Sequence, residues 1–254
     1  MKQFGIIRKI LVILFWVGIW AAAAAWVNKP LLLPKPIQVF ARIFQLAITA
    51  SFWKITATTL LRIMMGILVS IALGVFTAVL THRYTIVHEL LSPFLTIVKV
   101  TPVASFILLA LIWIGRDTVP SVISALMVFP VVWTNVRTGL KNIDSELLEM
   151  ADIYRIPRVL RFKRIIVPSV MPYFMSAVQT GIGIGWKAGI AAEVLTVPIH
   201  SMGKMIYESK LYMETLDLFA WTIVVIVISL ILEKILTAAI SRMTIRAREV
   251  TDND

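Results

Sequence analysis

The chain has 254 residues, of which 59% are hydrophobic and 15% charged, with a formal net charge of +11 and a mean hydropathy of +0.89. That balance excludes an ordinary soluble domain and describes an all-α polytopic membrane protein. The basic residues sit in short segments beside apolar runs, which speaks against a nucleic-acid face, and the absence of cysteine removes disulfides, thiolate nucleophiles and cysteine zinc sites.

Lys2, Arg8 and Lys9 precede an uncharged run, and the first span is expected over 10–27. A basic start, an apolar core and Ala21 to Ala25 also fit a signal peptide, but the run is long for one, so a retained span is expected. After Pro36, the residues Gln38, Arg42, Gln45 and Thr49 trace a polar stripe, predicting an outer amphipathic segment over 36–51. The next span covers 60–80, with Lys54 and Arg62 snorkelling to its outer end and His82 and Arg83 marking a cytoplasmic turn. A span over 90–114 is interrupted by Lys99 and Pro102. Thr101-Pro102 is expected to kink it toward a pathway, the alternative being a plain packing kink. A span over 118–136 follows, and Arg137 and Lys141 return the chain to the cytoplasm.

The stretch from Glu149 to Pro168 is the one sizeable polar island, within a cytoplasmic loop expected over 141–168. Asp144 or Ser145 can cap a short helix, Glu146 and Glu149 suit its first turns, and Pro157 stops it. Leu147, Leu148, Ala151 and Tyr154 share one face and Glu149, Asp152 and Arg155 another. Arg158, Arg161, Lys163 and Arg164 then form a basic cluster of cytoplasmic character.

The span over 170–195 carries Gly181, Gly185 and Gly189, a small-residue stripe that lets helices approach closely. Its GIGIGW run lacks the spacing of a dinucleotide loop, and no Gly-Lys-Ser/Thr occurs, so this chain is not expected to bind ATP. Lys187 and Glu193 are charges that a span does not leave in lipid, and six residues apart they do not share a helical face. They are read as lining a translocation path near an outer gate, or else as a structural pair through another helix or as snorkelling groups. An outer segment with Pro198 and Gly203 leads to the last span, over 218–240, with Glu233-Lys234 in its inner part. His82, His88 and His200 lie in predicted loops without ligand spacing, so no metal site is expected.

With the amino terminus inside and about six spans, inner segments collect Lys2, Arg8, Lys9, Arg83, the basic residues from Arg137 to Arg164, and Arg242, Arg246 and Arg248. The outer segments hold fewer, which places the amino terminus and the polar island in the cytoplasm.

Glu149-Met150-Ala151, Arg155 and Ile165-Ile166-Val167-Pro168 resemble the EAA loop of ABC importer permeases at its spacing. Arg155 stands where that pattern has glycine, and since arginine tolerates a left-handed turn poorly, the bend is expected to move to Ile156-Pro157. Leu33-Pro34, Pro36, Pro93, Pro102, Trp113-Ile114-Gly115, Phe129-Pro130, Ala192-Glu193 and Gly203 resemble the nitrate, sulfonate and taurine group of these permeases.

The resemblance implies a type I ABC importer (MetI-like) permease fold, two copies forming the pathway, separate ATPase subunits that hold ATP and magnesium, and an extracytoplasmic solute-binding protein. It implies a multi-pass protein of a bacterial or archaeal cytoplasmic membrane and no cofactor bound by this chain. Glu149, Met150, Ala151, Arg155, Ile165 and Pro168 would couple to the ATPase, with Ala151 allowing close approach and Ile165 to Pro168 passing motion into the following helix. The solute would be small, of the nitrate, sulfonate or taurine kind or a pyrimidine-type vitamin precursor. An ion-gradient carrier would want more carboxylates in the spans, where Glu193 is the one good candidate. A membrane enzyme would want converging nucleophile, base or metal residues that the spans lack.

Overall fold

The computed structural model describes residues 2–252, with side chains placed for residue 8, for 11–235 and for 237–238. Arg242, Arg246 and Arg248 have side chains outside the described ones. The described backbone is helical, without strands.

Four helical stretches are long and apolar enough to cross a membrane: Ala50–Arg83, Val119–Lys141, Arg158–Thr196 and Thr215–Ile235. The first is α3, following α1 (Lys2–Val27) and α2 (Pro36–Ala47). It begins where the Thr49 hydroxyl accepts the Phe52 N–H at 3.3 Å. It ends with Arg83 in its last turn, where a cation meets the negative end of the helix dipole. The apolar part of α1, Leu11–Val27, is shorter.

The expected span over 90–114 is two helices, α4 (Thr85–Val100) and α5 (Val103–Trp113), bent by 109° at the break. Thr101 and Pro102 both take extended backbone. The physical reason is the proline, which disfavours helical geometry in the residue before it and removes a donor. The result is a broken element rather than a kink.

α6 (Val119–Lys141) is the centre of the bundle and packs most extensively against α9 (Val167–Thr196) and α3. Between α6 and α9 lie α7 (Ser145–Ile153), α8 (Arg158–Arg161) and a π-helical turn over Phe162–Ile166. Pro168 withholds the N–H that an α-helix would use four residues back, and the wider turn falls just before it. Buried Ile63, Ile67, Val128, Val132, Ile182 and Trp186 fill the core among α3, α6 and α9.

Small residues permit this packing. A Cβ added at Gly185 would lie 2.7 Å from Val128 and 2.8 Å from Ile67, and one at Gly189 would lie 2.5 Å from the Ser124 hydroxyl and 2.7 Å from Ile63. The Ser124 Oγ donates to the Gly185 carbonyl at 3.0 Å, and the Ser70 Oγ of α3 donates to Ala125 O at 2.8 Å, so the tight seams also carry hydrogen bonds.

α10 (Met202–Leu211) and α11 (Thr215–Asp252) complete the chain. The Arg42 guanidinium of α2 grips Asp217 of α11 through two bonds of 2.6 and 2.8 Å, a bidentate contact that holds Arg42 above its usual range. This fastens the amphipathic α2 to the start of α11.

Candidate functional site

The polar island folds as a capped helix followed by a turn. The Asp144 carboxylate accepts the Glu146 N–H at 2.9 Å and so caps α7. At the other end the Ile156 N–H reaches Ala151 O at 2.9 Å and the Arg155 N–H reaches Asp152 O at 3.2 Å. These two bonds form a Schellman motif, which needs its intervening residue in the left-handed region. Arg155 supplies it with φ of 50°. The bend therefore stays at Arg155 instead of moving to Ile156-Pro157, because the two backbone bonds closing the helix offset the strain of a Cβ there.

Around this helix, Arg161 Nη1 donates to Asp152 Oδ1 at 2.5 Å and ties α8 back to α7. Glu149, Met150, Ile153 and Tyr154 are exposed, the last two to 77% and 76%. Ala151 is 1% exposed. It packs within its own chain, so the free surface of α7 is formed by its neighbours rather than by Ala151. Ile165 is buried as well, while Pro168 is exposed where α9 begins.

At the opposite end of α9 a charge network closes. Glu193 is 0% exposed. Its Oε1 accepts Arg62 Nη1 at 2.9 Å, and its Oε2 accepts the Thr59 hydroxyl at 2.9 Å and the Gly203 N–H at 3.1 Å. The Thr59 oxygen in turn accepts the Met202 N–H at 3.0 Å. Arg62 continues to Ile199 O at 3.3 Å and lies 3.6 Å from the Asp117 carboxylate, which accepts the Ile199 N–H at 2.9 Å. One carboxylate thus unites α3, α9 and the first turn of α10, and Arg62 extends the union to the turn before α6. A buried carboxylate demands this much satisfaction.

In the sequence Glu193 reads first as lining a translocation path, with a structural pair through another helix as an alternative; the structure makes that pair with Arg62, which reads in the sequence as a snorkelling residue. Gly203 has a spatial reason: a Cβ there would overlap the Glu193 side chain and backbone.

Lys187 does not join this network. It is exposed and lines a cleft of about 410 Å³ between α9 and α11, with Gln179, Thr180, Trp186, Ser229 and Glu233 among the other lining residues. Thr101 and Pro102 lie elsewhere, at the α4–α5 break, where Lys99 Nζ donates to Thr134 Oγ1 of α6 at 3.0 Å. Gly181 and Gly185 face Val128 of α6, and Gly189 faces Ser124 and Ile63. No group of three or more metal-ligating side chains occurs among the described residues.

Comparison with known proteins bears on this arrangement. Residues 70–245 match the family described as binding-protein-dependent transport system inner membrane component. The chain is 24% identical over 231 residues to the taurine transport system permease protein of Escherichia coli (strain K12), covering 89% of this chain and 84% of that one. It is 22% identical over 229 residues to a putative aliphatic sulfonates transport permease protein of Bacillus subtilis (strain 168), covering 89% and 83%. Against the nitrate import permease protein of Leptolyngbya laminosa it is 25% identical over 192 residues, covering 70% and 67%. A chain from the crystal structure of an amino acid ABC transporter with histidines superposes with a TM-score of 0.58 at 16% identity, over 74% of this chain and 90% of that one, which shows a shared fold.

Proposed function

The chain belongs to the family of binding-protein-dependent transport system inner membrane components, and on that footing we propose that two copies pair to form the solute pathway, with α7 of each docked on a separate ATPase. The chain is the multi-pass membrane permease subunit of an ABC importer and not itself an enzyme. Its partners are the importer's ATPase and binding protein. ATP and magnesium belong on the ATPase, the amino terminus and α7 lie on the cytoplasmic side, and the solute is small and polar, of the class the taurine, sulfonate and nitrate relatives are named for.

The observation that carries the coupling reading is the form of α7. It is capped at both ends, fixed to the base of α9 by short connections, and presents Glu149, Met150, Ile153 and Tyr154 outward. A rigid helix with an apolar and acidic free face suits a groove in a soluble partner. Displacing it would tilt α9, whose far end grips α3 and α10 through Glu193.

The test is co-purification of the tagged protein with the ATPase encoded beside it, comparing wild type with Glu149→Lys. Capture by the wild type and weakened capture by the reversed charge support the reading. A folded wild type that captures no ATPase overturns it.

A further inference from the structure

We propose that the cleft between α9 and α11 is a transit site for a small zwitterion, whose acid group is held by Lys187 and whose ammonium group is held by Glu233. This deepens the importer reading and rests on it.

Lys187 and Glu233 both line the cleft, and both are exposed. Among the described residues neither side chain makes an ion pair or hydrogen bond. Lys187 lies within α9, nine residues before Thr196, and so ~13 Å in from that helix end at 1.5 Å per residue. Glu233 lies inside the span Thr215–Ile235. Unpaired charges at such depth face water, protein or a passing solute rather than lipid. On the same helix as Lys187, Glu193 is satisfied by donors from Thr59, Arg62 and Gly203, whereas Lys187 stands open to the cleft.

The rest of the lining matches a polar guest. Gln179, Thr180 and Ser229 bring an amide and two hydroxyls to the cleft. Lys187 brings a cationic donor to the cleft, and Glu233 offers acceptors. A plain anion would be repelled by Glu233 and a plain cation by Lys187, whereas a molecule carrying both charges is attracted by each. The volume of about 410 Å³ falls within the roughly 300–1,000 Å³ of small-molecule sites.

The test uses the permease–ATPase complex in nanodiscs without binding protein. Calorimetry would compare 2-aminoethanesulfonate, which has both charges, with ethanesulfonate and ethylamine, which have one each. The expected result is that the zwitterion binds about tenfold or more tightly than either, and that Lys187→Gln and Glu233→Gln each weaken it about tenfold. Equal binding of all probes, no binding of the zwitterion, or loss in Lys187→Gln with none in Glu233→Gln would overturn the proposal.

Because the chain has no cysteine, Lys187→Cys supplies a single thiol for a second measurement. A charged aqueous thiol reagent should modify it, and the zwitterion should protect it; an unreactive thiol counts against the site. ATPase retention is scored in the same preparation. Its loss from the wild type strikes the importer reading, while retention without charge dependence strikes only the cleft.

Discussion

Arg62 of α3 meets the fully buried carboxylate of Glu193 in α9 at 2.9 Å, and the second oxygen of that carboxylate is held by the Thr59 hydroxyl and the Gly203 N–H. The contact joins residues 131 apart in sequence. It lies at the end of α9 opposite the polar island. Movement of α7 against an ATPase would therefore reach α3 and α10 together, because α9 is continuous from Val167 to Thr196 and fastened at its far end.

Removing Arg62 leaves the fully buried carboxylate of Glu193 without its counter-charge. Arg62→Met should destabilise the purified protein by about 3 kcal/mol or more, since the loss of a partner in a buried pair costs more than the pair itself contributes. The double change Arg62→Met with Glu193→Leu should recover most of that loss. Thermal unfolding in detergent reads both. A single variant as stable as wild type would show that the network is not closed as described.

The glycine seam gives a contrast within one helix. Gly185→Ala would place a methyl 2.7 Å from Val128 and 2.8 Å from Ile67, whereas Gly183→Ala meets nothing within 4 Å. Overpacking costs on the order of 1–3 kcal/mol, while an unopposed Gly-to-Ala change inside a helix gains up to about 1 kcal/mol. The first variant should melt earlier than wild type and the second no earlier. Equal melting points would mean that α9 does not pack this closely on α3 and α6.

Much of this architecture is legible in the sequence, and the remainder is hidden for identifiable reasons. The apolar runs, the Asp144 cap and the Pro102 interruption are local signals, carried by neighbouring residues. Glu193 also announces that it needs a partner, but nothing near it names Arg62, since that meeting depends on how α3 and α9 cross. Pro102 marks a break without fixing its 109° bend, which depends on where α5 packs. Periodicity puts Ala151 on the apolar face of α7 and it is buried there, so the close approach that the resemblance implies for it is made within the chain. At Arg155 the general aversion of side chains to the left-handed region gives way to two specific backbone bonds.

That last feature gives a prediction of opposite sign to most substitutions. Arg155→Gly removes the Cβ from a left-handed residue and should stabilise the turn by about 1 kcal/mol. Hydrogen exchange at the Arg155 and Ile156 positions should slow or stay unchanged in the glycine variant and quicken in Arg155→Val, whose branched side chain fits φ of 50° still less well. Faster exchange in the glycine variant would refute the Schellman closure.

The burial of Ala151 separates folding from docking on a single short helix. Ala151→Leu should lower the melting temperature of the permease alone, because a residue 1% exposed has no room for added methylenes. Ile153→Ala and Tyr154→Ala change side chains that are 77% and 76% exposed, so the isolated protein should melt as wild type. If α7 is the docking element, those same two variants should release the ATPase more readily, since exposed apolar side chains give up their contact area only to a partner. Unfolding curves of the permease alone, set beside ATPase retention at rising salt, resolve the two effects. Should Ala151→Leu leave stability intact while Ile153→Ala and Tyr154→Ala leave retention intact, the free face of α7 would have to be sought elsewhere on the polar island, with Glu149 and the basic cluster from Arg158 to Arg164 as the remaining surface.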